Sequence, residues 1–397
     1  MERKKILWLC SWYPSKMDPF NGDFIQRHAR AAALFNDIHV IHVTYDYPND
    51  VENSGQELNS IGQLSEQIVY FKKKKSLKAK LTNQLRWLAN YKKTIRNYII
   101  KNGKPDLVHL HVPMKAGVLA LWMKKSYKIS YIVTEHWGIY NHIVEDKYAS
   151  KSVAFKKYTK KIFERASKFI SVSDYLAKGI NRQICKKDYV VIPNAVDTDL
   201  FYYKEKEASA FRFIHVSNMV PLKNAEGILR SFKNFIQQNI NAELIMVGDI
   251  GPQIRDYAQT LSFPAGAIKF LGEIPYTQVA AEMQKADCLL LFSNIENSPC
   301  VIGEALCCGL PVITTNVGGI PELTSESNSL LIESKDEDAL TQAMHEMVGG
   351  INNYNRKKIA ENAISKFSYS VIGKQINTVY EEIIASKSQK LIIPVIF

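Results

Sequence analysis

Short continuous apolar runs recur along the chain at 4–9, 38–43, 68–71, 106–111, 131–134, 169–172 and 189–192. Most are unbroken rather than alternating, the pattern of strands covered on both faces of a parallel sheet. Helical segments are expected between them, near 77–101, 114–125, 152–166 and 174–182. A further one over 23–34 sets Phe24, Ile25, Ala31 and Leu34 on one side. Repeated strand, helix, strand order specifies a doubly wound α/β domain. The second half repeats the pattern. Strands are expected at 211–217, 242–247, 268–271, 288–292 and 330–332, with helices from about 224 to 235, near 336–348 and 353–366, and over 367–386.

A chain of 397 residues exceeds one ordinary core, so two domains are expected. Pro193-Asn194-Ala195 forms a turn, and the stretch after Phe201 is rich in Lys, Glu and Tyr, which places the boundary near 195–208. The expected division is 1–197, 198–368, and a last segment, 369–397, holding a helix and an apolar tail. No run of eighteen apolar residues occurs, so no spanning helix is predicted. The opening MERKKILWLCSWYP is basic and then apolar, yet too short and without a small-residue cleavage site, and reads as a first strand. Cysteines at 10, 185, 288, 300, 307 and 308 have no metal-site or disulfide-framework spacing, which fits a reducing cytoplasm.

Charge is uneven. Residues 1–190 carry 34 Lys and Arg against 16 Asp and Glu, a net +18, while the remainder carry 17 against 23, a net −6. A basic first half suits an anionic lipid surface, a pyrophosphate-linked substrate or nucleic acid. Lysines crowd 72–80, KKKKSLKAK, ahead of Leu81, Leu85, Trp87, Leu88 and Tyr91. Two readings stand for this stretch: attachment to an inner-leaflet surface, or a solvated helix packed on its own domain. No aromatic stacking motif suits an RNA-binding sheet, so no nucleic-acid partner is expected.

The stretch most suggestive of chemistry is 293–323, SNIENSPCVIGEALCCGLPVITTNVGGIPEL. It reads as strand end, polar loop, helix, strand and glycine turn. Ser298 and Pro299 suit an N-cap and a first turn, which would aim the amides of Cys300, Val301 and Ile302 into the loop. Such a helix start attracts phosphate without a basic side chain. Glu296 lies in the loop and Glu304 inside the helix, where a carboxylate can hold the vicinal hydroxyls of a ribose. Lys223 precedes the helix after strand 211–217, so its ammonium can reach a phosphate there. Loop, helix start, carboxylates and lysine describe a seat for a nucleoside diphosphate.

Glu296-x7-Glu304, with Gly309-Leu310-Pro311-Val312-Ile313 and Gly318-Gly319-Ile320-Pro321-Glu322, resembles the signature of the family 4 retaining glycosyltransferases (glycosyl transferases group 1), in particular those of bacterial surface glycans. The resemblance implies the GT-B fold, an α/β architecture of two Rossmann-like doubly wound domains facing across a cleft, with the final helix crossing back to the first. It implies a nucleotide-diphospho-sugar donor, a glycan or polyprenyl-linked acceptor, and transfer of a hexose or N-acetylhexosamine with retention. By the same resemblance Glu296 attends the donor sugar, Glu304 the ribose, Lys223 the diphosphate, and His136, in Thr134-Glu135-His136-Trp137-Gly138, the transferred sugar. Gly22 matches a glycine that lets the backbone approach the diphosphate, or serves only as a turn. The family's usual arginine, five residues before the lysine, is here Asn218. No Asp-x-Asp stands at a strand end to hold Mg²⁺, so neither a metal nor any other cofactor is expected. A sugar-nucleotide epimerase or phosphorylase of the same fold, and an anionic-surface binding module, are the alternative functions.

Overall fold

The computed structural model describes residues 3–47, 54–75, 79–140, 147–206, 210–238 and 240–392. The middle of the lysine run (76–78), part of the polar linker (207–209) and most of the apolar tail (393–397) lie outside the described residues. The chain divides into two compact units, Met1–Pro193 with Tyr369–Phe397, and Asn194–Ser368.

The first unit runs β1 (Lys5–Cys10), α1 (Asp23–Ala33), β2 (Asp37–Asp46), β3 (Ser54–Ile61), β4 (Leu64–Lys72), α2 (Ala79–Asn102), β5 (Leu107–His111), α3 (Gly117–Tyr127), β6 (Tyr131–Glu135), α4 (Val153–Arg165), β7 (Phe169–Ser171), α5 (Asp174–Gln183) and β8 (Tyr189–Val191). Its sheet has the order β3-β4-β2-β1-β5-β6-β7-β8. Every neighbouring pair is parallel except β3 with β4. The sequence expectation missed β3 because SGQELNSI has no apolar face; from Gly55 on, its residues are half-buried or exposed. It is a polar edge strand, the kind that blunts sheet-to-sheet association.

The second unit runs β9 (Phe211–Val216), α6 (Ala225–Ile236), β10 (Ala242–Val247), α7 (Pro252–Thr260), β11 (Ile268–Gly272), α8 (Tyr276–Lys285), β12 (Cys288–Leu291), α9 (Cys300–Cys307), β13 (Val312–Thr315), β14 (Ser329–Ile332), α10 (Glu337–Gly350) and α11 (Arg356–Phe367). Its sheet is wholly parallel, in the order β11-β10-β9-β12-β13-β14. Helices α7 and α8 were not anticipated. Only Ala258 of α7 is buried, so its apolar periodicity is faint.

The last helix, α12 (Tyr369–Ile392), belongs to the first unit and packs along α1. At Gly373 a Cβ would come within 2.1 Å of the Ala31 carbonyl oxygen, so this crossing needs glycine. Deeper in, Trp8 Nε1 donates to the Tyr380 hydroxyl at 3.1 Å. That hydroxyl lies 2.7 Å from His109 Nδ1, and His109 Nε2 lies 2.6 Å from Thr134 Oγ1. With the tyrosine proton directed to Nδ1, the histidine is neutral and gives its own proton to the threonine. The chain of bonds ties α12 to β1, β5 and β6 through fully buried groups. Tyr380→Phe leaves an indole N–H and an imidazole nitrogen without partners and is expected to destabilise the first unit by about 1–3 kcal/mol, read as a lowered denaturation midpoint.

Candidate functional site

Open parallel sheets bind ligands where the strand order reverses, beyond the carboxyl ends of the strands. In the second unit that point lies between β9 and β12, since β10 and β11 continue one way and β13 and β14 the other. Two loops leave there, 217–224 and 292–299. They are joined directly: Asn294 N–H donates to the Leu222 carbonyl at 2.8 Å, and Lys223 Nζ reaches Glu296 Oε1 at 2.5 Å. Ser293 Oγ donates to the same carboxylate oxygen at 2.8 Å. The Glu296 side chain is 10% exposed and that of Lys223 22%, so the pair is shielded without being sealed.

The backbone of Glu296 is held as firmly as its carboxylate. Its carbonyl accepts from Gly319 N–H at 3.1 Å. Gly318 has φ +58°, and a Cβ there would lie 1.9 Å from the same carbonyl oxygen. Gly318 is thus required by the loop it presses against. Thr315 Oγ1 adds a bond to the Ser293 carbonyl at 2.7 Å.

Helix α9 opens directly behind this lock. Its N-cap is Pro299, in extended conformation and with no side-chain cap. The expectation of Ser298 as the cap is corrected here: the Ser298 carbonyl accepts from Asn194 Nδ2 at 2.7 Å, which fixes the residue one place ahead of the cap. Ile302 N–H meets the Pro299 carbonyl at 3.3 Å, so the mouth narrows to the amides of Cys300 and Val301. Glu304 follows in α9 at 3% exposure.

The lysine-bearing loop has its own support. His215 Nδ1 lies 2.8 Å from the Leu290 carbonyl, and its Nε2 lies 2.8 Å from Ser217 Oγ, which also accepts from Met219 N–H. Burial above all, with Lys223 adding to it, holds His215 down at about 4, so the ring is neutral at pH 7. Asn224, with φ +50°, caps α6 by accepting from Gly227 N–H. Asn218 is exposed and lines a groove of about 410 Å³ with Glu226, Asp249 and Gln253.

In the first unit the reversal lies between β1 and β5. Gly22 caps α1 with φ +73°, and a Cβ there would sit 2.9 Å from the Trp12 carbonyl carbon, so local geometry alone demands glycine. His136, just past β6, is 8% exposed, with Phe24 at 4.8 Å and His28 at 5.5 Å between ring centroids. Its Nε2 lies 3.4 Å from His111 Nδ1. The structure therefore brings Glu296, Lys223, Pro299, Cys300, Val301, Ile302 and Glu304 together in one unit and places Gly22 and His136 in the other.

Two residues here escaped the sequence reading. His28 lies on the buried side of α1, where its type alone gives no signal. Glu135 precedes His136, and its Oε1 accepts from the N–H groups of His136 and Trp137, each at 2.9 Å, while Oε2 accepts from Tyr140 Oη at 2.9 Å. Burial pushes this carboxyl up to about 7 against the pull of those three donors. Between 4.5 and about 7 the folded chain keeps a proton that the unfolded chain has released, so Glu135 withdraws stability as pH rises through that window. Relative to Glu135→Gln, the natural chain is expected to lose up to about 3 kcal/mol from about pH 4 to about pH 8, measured by denaturant unfolding of both proteins.

The chain is similar to glycosyltransferases over most of its length. The family described as Glycosyl transferases group 1 matches residues 210–349, and that described as Glycosyltransferase Family 4 matches residues 24–200. A putative teichuronic acid biosynthesis glycosyltransferase of Bacillus subtilis, TuaC, is 25% identical over 399 residues, covering 94% of this chain and 95% of its own. Among solved structures, sucrose-phosphate synthase from Thermosynechococcus elongatus superposes with a TM-score of 0.77 at 18% identity, covering 96% of this chain and 100% of that one. Anabaena HepE in complex with UDP gives a TM-score of 0.70, also at 18% identity, covering 95% and 100%.

Proposed function

The chain belongs to the family 4 glycosyltransferases and has their GT-B fold, and from that premise we propose that it transfers a hexose or N-acetylhexosamine, with retention, from a nucleoside diphosphate donor to a glycan or polyprenyl-linked acceptor in surface polysaccharide assembly. The observation that carries this reading is the Lys223–Glu296 lock at the open end of α9, with Glu304 inside the same helix. The similarity to a putative teichuronic acid enzyme supports the acceptor class, and the UDP complex of HepE supports a nucleotide donor.

Transfer breaks the bond between the anomeric carbon and a phosphate oxygen and makes one to the acceptor oxygen. The acceptor proton passes to the leaving phosphate on the same side of the sugar, the route to retention that the family resemblance implies. The protein's task is then to stabilise charge on the departing diphosphate. Lys223 and the amides of Cys300 and Val301 do this, and Glu304 receives the ribose. Glu296 binds donor hydroxyls and His136 a further one. Asn218, in place of an arginine, contributes a neutral hydrogen bond, which leaves Lys223 as the side-chain cation of the site. We assign no metal or other cofactor to the reaction.

The assignment is tested by thermal shift against UDP-, GDP-, ADP- and dTDP-sugars, with product detection by mass spectrometry on extracted polyprenyl-linked glycans. One donor at 100 times its Kd is expected to stabilise the chain by about 2.7 kcal/mol. Glu304→Gln is expected to weaken that donor by about 10–100-fold, since hydrogen bonds to a charged acceptor are worth about 1.5–3 kcal/mol. Glu296→Gln is expected to lower turnover more than donor affinity. A panel that moves no midpoint sinks the proposal.

Attachment to the cytoplasmic membrane face is part of the same proposal. Among the described residues no helix is long and apolar enough to cross a membrane. In α2, Tyr91 is buried and Trp87 donates to the Val43 carbonyl, whereas Leu81 and Leu85 are 63% and 58% exposed, with exposed Lys72, Lys73, Lys74 and Lys75 preceding them. Apolar side chains beside a lysine cluster suit an anionic bilayer. Each Lys→Gln replacement at 72–75 is expected to weaken binding to anionic vesicles about fivefold, measured by sedimentation, with activity on a water-soluble acceptor kept.

A further inference from the structure

Among the described residues, His28, His111 and His136 form a group whose candidate ligand nitrogens all lie within 4.8 Å of one another, and all three rings are buried. They come from different elements that meet at the strand-order reversal of the first unit: α1, the last residue of β5, and the residue after β6. We propose that these three histidines form a binding site for a zinc-class divalent cation.

Three features of the geometry point this way. His111 Nδ1 and His136 Nε2 are 3.4 Å apart, and two nitrogens on a tetrahedral zinc with bonds of about 2.0–2.1 Å are separated by about 3.3–3.4 Å. His28 Nε2 lies 2.9 Å from the Pro193 carbonyl oxygen, which can only accept, so Nε2 carries the proton and Nδ1 keeps its lone pair. A ring N–H anchored on a carbonyl is the usual orienting partner of a metal-bound histidine. The His111 ring is immobilised, stacked on Trp8 at 4.0 Å. The neighbouring His109, by contrast, has both nitrogens engaged and is excluded from the set.

The donor set decides the kind of cation. Three imidazoles without a carboxylate suit zinc and its late transition-metal neighbours and are poor ligands for Mg²⁺ or Ca²⁺. Three protein ligands leave a fourth position open. The three histidines all belong to the first unit, whereas the diphosphate chemistry is assigned to residues of the second. A consequence rests on the reading of His136 given above: a cation on His136 competes with its contact to the transferred sugar, so zinc inhibits transfer.

The test is equilibrium dialysis of the full chain, stripped of metal, against Zn²⁺ and against Mg²⁺, with elemental analysis and melting curves. One zinc per chain is expected, with no uptake of Mg²⁺. His28→Gln and His111→Asn are each expected to weaken zinc binding by at least about tenfold, whereas His345→Ala leaves it unchanged. Melting of the metal-free variants checks that each is folded, and His28→Gln carries the test should His111→Asn unfold. Absence of stoichiometric zinc, or zinc bound equally well by the folded variants, overturns the site. Zinc held by the three histidines without effect on transfer keeps the site and removes His136 from the sugar. Loss of the site with donor-dependent transfer intact leaves the proposed function standing.

Discussion

Parallel pairing is the constraint from which the rest follows. Parallel neighbours cannot be joined by a tight hairpin, so the chain must leave each carboxyl edge, cross the sheet as a helix and re-enter at the amino edge. The loops with freedom to hold chemistry are thereby gathered along one edge, and the reversal of strand order opens a gap between two of them. Both units obey this rule outside the antiparallel β3–β4 hairpin of the first and the connection from β13 to β14 in the second, which holds no α-helix. In the second the gap separates the loops after β9 and β12, and these loops supply Lys223 and Glu296. In the first the gap separates β1 from β5, and His28, His111 and His136 gather beside it.

The ion pair across the second gap has a cost built into it. A diphosphate that takes the Lys223 ammonium shares its three N–H donors with Glu296 or replaces that contact, so binding redistributes charge contacts and does not simply add one. A carboxylate released in this way has unused acceptor capacity. What keeps this exchange local is the backbone: the Glu296 carbonyl is held by Gly319 and crowded by Gly318, so the side chain can change partner without moving the loop. Preorganisation of this kind is what makes a charged side chain effective in a shielded site.

Much of this was legible in the residues, and the failures have physical causes. Buried parallel strands are apolar on both faces, so 106–111, 131–134 and 242–247 stand out as largely apolar runs and match β5, β6 and β10 to within one residue. The polar edge strand β3 and the barely buried helix α7 gave no such contrast. The loop from Ser293 to Pro299 was recognisable as a site, yet its cap was misplaced, because the partner of the Ser298 carbonyl, Asn194, is about a hundred residues away and local pattern carries no information about it. His28 shows the same limit from the other side. On a helix it is one more buried residue, and only the meeting of α1 with the ends of β5 and β6 gives it neighbours.

The two gaps also differ in electrostatic kind, which bears on what each can hold. The second is built from a lysine, two carboxylates and helix amides, a set suited to a charged, oxygen-rich ligand. The first presents imidazoles stripped of charge by burial, together with a carboxyl, Glu135, raised to about 7 by the same cause. A buried group of that sort, poor in positive charge, would penalise a diphosphate. It suits hydroxyl groups of an uncharged sugar, or a metal ion whose affinity for nitrogen exceeds the cost of shedding its water. Burial therefore does in the first unit what the ion pair does in the second: it sets the charge state of the groups at the gap, and with it the class of ligand admitted.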